Sequence, residues 1–84
     1  MAELRWDRYY SRNGKMVVRA LPIVWVEPAN RYVEISDGVS EQRWVPDGGA
    51  SNIIGRNVGD YAVESDGFKY IFSDEEMQAG FEKL

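Results

Sequence analysis

The chain contains no cysteine and no histidine among its 84 residues. Without cysteine there is no disulfide staple, no thiol redox chemistry and no thiolate metal site. A small secreted domain usually relies on disulfides, so a reducing cytoplasm is the expected compartment. Without histidine the commonest general base and the commonest metal ligand are missing, and so is every Ser-His or Cys-His nucleophile. Catalysis would fall to carboxylates, lysine, tyrosine or serine alone, which points away from an enzyme. No apolar run approaches the ~18 residues that a membrane span needs, and no apolar N-terminal stretch resembles a signal peptide.

What is present suffices for a folded globule. Hydrophobic residues make up 44% and aromatic residues 13% of the chain, which argues against disorder. A chain of this length is expected to be a single domain, residues 1–84, burying only about 60% of its unfolded surface. Trp6, Trp25 and Trp44 offer large rings to a modest core. The net charge is −4, unevenly spread: residues 1–19 hold five basic and two acidic side chains, residues 20–84 five basic and twelve acidic. The N-terminal arm is therefore basic and the remainder acidic.

Turn signals divide the chain into short runs. Asn13-Gly14 separates "RWDRYYS" from "KMVVRA", and the pair suits a hairpin turn with positive φ. Over residues 3–12 a strand and a helix both fit, because Trp6, Tyr9 and Tyr10 also satisfy helical spacing. "MVVRALPIVWV" (residues 16–26) is apolar on both faces and predicts a central strand that bends or bulges at Pro22, or lies at an edge over that half, because Pro22 cannot donate to a ladder. "RYVEIS" and "VSEQRWV" flank Asp37-Gly38 as a second hairpin. "PDGGASNIIGRN" (residues 46–57) is the longest loop-like stretch, with Ile53-Ile54 as an apolar anchor. It lacks the Gly-Lys-Ser/Thr of a phosphate-binding loop.

The last third begins with Gly59, Asp60 and Tyr61. Gly59 turns the chain, Asp60 accepts N–H groups of its own turn, and Tyr61 packs. After the Asp66-Gly67 turn, Phe68, Tyr70 and Phe72 share one face, with Lys69 and Ile71 on the other. Ser73 and Glu76 have capping-box spacing. Asp74 and Glu75 suit a helix N-terminus. Met77, Phe81 and Leu84 form the buried stripe of a helix near residues 74–83. The expected fold is α+β: a mostly antiparallel sheet or small open barrel of five to six strands, arranged as a meander, with one short C-terminal helix packed on it.

Val58-Gly59-Asp60-Tyr61-Ala62, the Asp66-Gly67 turn, Phe72 and Phe81 together resemble a family of small phage and prophage proteins named for a Pro-Gly-Asp-Tyr-Gly motif. Val58 stands for the proline and Ala62 for the last glycine. The resemblance covers the C-terminal third. It implies a small phage or prophage protein acting in a bacterial cytoplasm, and it supplies no activity.

Two function classes follow. The first is a non-enzymatic module that binds and inhibits or modulates a host protein. Its contact residues would be Trp6, Arg8, Tyr9, Tyr10 and Arg12, of types that dominate interface hot spots, or the loop over residues 46–57. The second is a small β-domain that binds single-stranded nucleic acid through the same basic and aromatic arm. The acidic remainder opposes phosphate approach, which favours the protein partner. No cofactor, metal site or membrane contact is expected, and a homodimer is compatible with the sequence.

Overall fold

The computed structural model describes residues 3–27, 29 and 31–84. Its strands are β1 (Asp7–Ser11), β2 (Val17–Glu27), β3 (Tyr32–Ser36), β4 (Glu41–Trp44), β5 (Tyr61–Ser65), β6 (Phe68–Phe72) and β7 (Phe81–Lys83), with helix α1 (Asp74–Gly80) between β6 and β7. All strand pairs are antiparallel, in an open sheet ordered β4-β3-β2-β1-β7, with β5 on β2 and β6 on β5. The architecture is α+β.

Strand β2 organises the fold. Its first half pairs with β1 on one edge and β5 on the other; its second half pairs with β3. The Ile23 N–H donates to the Asp60 carbonyl (2.8 Å) and the Gly59 N–H to the Ile23 carbonyl (3.0 Å), so Ile23 bonds toward β5. Backbone groups alternate along a strand, so Pro22 faces the opposite edge. There β1 stops at Ala20 and β3 starts at Ile23, and no donor is required. The predicted irregularity lies one step further on: a bulge between Ile23 and Trp25. The extra residue reverses the inward-outward order. Val26 rather than Trp25 follows Ile23 inward, and Trp25 is left 52% exposed. Only Trp44 of the three tryptophans enters the core.

Both faces of the central strands are covered. One face carries Val18, Ala20 and Val63, closed by Met77 of α1, with Tyr9, Tyr61, Phe72 and Phe81 packed around them. The other carries Leu21, Ala62 and Ile71 against Ile23, Val33, Ile35, Trp44 and Ile53. Ala62 and Val63, neighbours on β5, are fully buried on opposite faces.

Three expectations need correction. There are seven strands, not five or six, because the predicted helix over residues 74–83 ends at Gly80. Phe81 adopts φ −138°, and residues 81–83 pair with β1. Leu84 is accordingly 66% exposed instead of buried in a helical stripe. The meander is also broken twice: the 46–57 loop returns the chain to place β5 beside β2, and α1 carries it from β6 to place β7 beside β1.

Among the three Asx-Gly pairs predicted as hairpin turns, only Asp66-Gly67 has positive φ at both residues (51° and 82°), as a two-residue type I′ hairpin turn requires. The other two sit in longer connections, residues 12–16 and 37–40, held by side chains. Ser11 Oγ accepts the N–H groups of Lys15 and Met16, and Asp37 Oδ1 accepts those of Val39 and Ser40.

Candidate interaction surfaces

The basic arm is a strand, and a strand divides its side chains between two faces. Trp6, Arg8 and Tyr10 lie on one face; Tyr9 lies on the helix-covered face, its ring edge-on to Tyr61 at 6.3 Å. Burial, with the nearby Tyr61 and Asp7, raises the Tyr9 hydroxyl pKa. Tyr10 and Arg12 are both occupied by Glu82 of β7. The Tyr10 hydroxyl donates to one carboxylate oxygen and the Arg12 guanidinium to the other (2.8 Å). The first contact raises the Tyr10 pKa and, with Arg12, lowers that of Glu82. Arg12 also donates to the Gln78 carbonyl (3.0 Å), and its backbone N–H donates to the Gly80 carbonyl (2.9 Å), so it caps the C-terminal end of α1. The Trp6 ring lies under the Arg19 guanidinium, 4.5 Å from the centroid. Arg8 is exposed directly opposite Arg19, and among the described residues it forms no ion pair. Of the five predicted contact residues, Trp6, Arg8 and Tyr10 therefore share one face, Arg12 joins Tyr10 at Glu82 beside the end of α1, and Tyr9 lies on the other face.

The 46–57 loop is pinned rather than free. Ile53 is fully buried while Ile54 is 71% exposed, so half of the predicted anchor reaches the core. Asp47 clasps the outer edge of β6: its N–H donates to the Lys69 carbonyl and its carboxylate accepts the Lys69 N–H, both at 3.0 Å. Arg56 reaches Glu76 of α1 at 3.9 Å. At the entry to β5, Gly59 has φ 100°, and the Asp60 carboxylate accepts the Asn57 N–H at 2.9 Å. Ser73 and Glu76 form the reciprocal capping box, both bonds 3.0 Å. The backbone N–H of Ser73 holds the Glu76 carboxyl below its usual pKa.

The surface that does converge lies on β6. Phe68, Tyr70 and Phe72 project from one face, and Phe81 continues the row. Successive ring centroids are 6.1, 6.0 and 5.8 Å apart, and the rings are close to parallel at 19°, 4° and 28°. Phe72 and Phe81 are half-buried, whereas Phe68 and Tyr70 are 55% and 38% exposed. The cause is length. Seven helical residues span about 10 Å and five strand residues about 16 Å, so α1 covers one end of the row only. Beyond that end is a shallow groove of about 340 Å³ lined by Phe72, Glu76, Ala79, Gly80 and Phe81. The alternation that marks this row is visible in the sequence; its exposure depends on where α1 stops.

On the opposite face Glu64 joins the two parts of the sheet. Its carboxylate accepts the Trp44 indole N–H (2.7 Å) and the Arg19 Nε–H (3.0 Å). Burial pushes its pKa up, but the Trp44 and Arg19 contacts outweigh this and leave it lowered. Among the described residues no group of three or more acidic side chains is placed to hold a metal ion, and no helix is long and apolar enough to cross a membrane. No protein-family model matches the chain, and no curated protein or solved structure shows significant similarity to it.

Proposed function

We propose that the protein works by binding another protein, without turnover, and that the aromatic row on β6 is its contact surface. The observation that carries this reading is the set of four stacked rings at a sheet edge, two of them more than a third exposed. Exposed apolar patches on small domains mark interaction sites, and aromatic side chains dominate interface energetics. The likeness of the C-terminal third to small phage and prophage proteins makes a bacterial host protein, met in the cytoplasm, the expected partner. Binding would inhibit or modulate it.

The test compares proteins retained from bacterial lysate by the immobilised domain with those retained by a Phe68→Ser/Tyr70→Ser variant of unchanged circular dichroism. A discrete protein retained by the first and lost by the second is expected. Equal retention by both overturns the assignment of the surface.

One observation favours a second reading, single-stranded nucleic-acid binding. Arg8 faces Arg19 across β1 and β2 beside Trp6, and while Glu64 neutralises Arg19, Arg8 has no ion-pair partner among the described residues and is open to an anion. Micromolar or tighter binding to an oligonucleotide at low salt, lost in Arg8→Ala/Arg19→Ala, would replace the protein-partner reading.

A further inference from the structure

We infer that the β6 row receives a cationic segment of its partner, one carrying arginine or lysine side chains that stack over the rings. The inference rests on the protein-binding reading and adds the chemistry of the partner. It follows from the charges around the row. Asp66 sits in the turn before Phe68, and Asp74 and Glu75 open α1 just after Phe72. Among the described residues none of these three forms an ion pair. The cations nearest to this face are already engaged: Arg56 with Glu76 (3.9 Å), Lys83 with Asp7 (3.3 Å) and Arg12 with Glu82 (2.8 Å). Lys69 lies on the opposite face, in register with Glu64. The row is thus an apolar strip with unpaired carboxylates at both ends and, among the described residues, no unpaired cation on its own face.

Such a strip selects against acidic and phosphate-bearing partners and for basic ones. The rings add their own preference, because the face of an aromatic ring attracts a cation. The chain uses this contact twice internally, with Arg19 over Trp6 and Arg43 over Tyr32, each 4.5 Å from the centroid. The spacing also fits an extended partner. Same-side side chains of a strand recur every ~6.6 Å, close to the 6.1 and 6.0 Å between rings along β6.

The test is titration of the intact protein, at low salt, with an eight-residue peptide of alternating arginine and threonine and with its glutamate-threonine counterpart. Only the arginine peptide should bind. Phe68→Ala/Tyr70→Ala should weaken it about tenfold, on the basis of roughly 0.5–1 kcal/mol for each exposed cation–ring contact. Asp74→Asn/Glu75→Gln should weaken it while leaving the fold intact. Glu41→Gln on β4, far along the sheet, should change nothing. Equal binding of both peptides, or arginine-peptide binding that ignores the ring and Asp74/Glu75 variants or falls equally with Glu41→Gln, overturns the inference. If the ring variant loses a lysate partner while the arginine peptide does not bind the wild type, the protein-binding reading stands and the cationic partner is wrong.

Discussion

Asp37 illustrates how one side chain can hold two distant segments. Its carboxylate accepts the N–H groups of Ser40 (2.7 Å) and Val39 (2.9 Å) in its own connection, and that of Arg5 (2.9 Å) from the N-terminal arm. Three donors favour the charged form, led by Ser40 and then Arg5, and lower the pKa to about 2. A depressed carboxyl pKa contributes stability that is complete above the unfolded value and is lost as pH falls through the folded value. Chemical denaturation followed from about pH 4 down to about pH 2 should therefore show falling stability, and Asp37→Asn should flatten that slope. An unchanged slope would show that the three bonds do not persist in solution. At Ser73 the expectation is simpler. Ser73→Ala removes the acceptor for the Glu76 N–H and should cost about 0.5–2 kcal/mol in urea melts. The capping box is legible from residues three apart. The Arg5 contact is not, because it spans 32 residues.

Helix α1 shows where element length overrides pattern. The spacing of Met77, Phe81 and Leu84 suits a helix, but Gly80 is a poor helix former, and Arg12 and Glu82 offer the following residues a strand partner in β1. The chain takes the strand. Met77, 2% exposed, is the residue of that stripe that reaches the core. Met77→Ala should cost about 2–5 kcal/mol and more than Ser73→Ala, whereas Leu84→Ala should be close to neutral. Urea melts that rank Leu84 above Met77 would mean that the helix runs on in solution. The paired runs, the doubly apolar β2 and the helix start follow from local periodicity and turn chemistry, and all are legible in the sequence. The bulge after Ile23 and the end of α1 are set by partners distant in sequence. Those two features expose Trp25 and the β6 rings. The candidate surface was therefore visible only as an alternating run, Phe68, Tyr70 and Phe72, without its exposure.

Across the whole molecule, β3 and β4 are joined to the rest by the second half of β2, the shared core, the bond from the Arg5 N–H to Asp37 and one polar link between side chains. That link is Trp44 to Glu64, from β4 to β5 across the core. Trp44 is 6% exposed, so its indole N–H needs an acceptor where water is scarce. Glu64 also holds Arg19, which in turn covers Trp6, so the link ties the N-terminal arm to the far edge of the sheet. Residues in such a chain should not behave independently. In a double-mutant cycle, Trp44→Phe removes the donor and Glu64→Ala the acceptor. Each alone leaves its partner poorly satisfied, and the double variant recovers part of that loss. The expected coupling is about 0.5–3 kcal/mol, read from urea melts of the four proteins. The free energies of two unconnected sites would add within about 0.5 kcal/mol. Additivity would show that packing of Ile35, Val33 and Leu21, and not the Trp44–Glu64 bond, holds the two parts of the core together, and that Glu64 serves Arg19 and not the core.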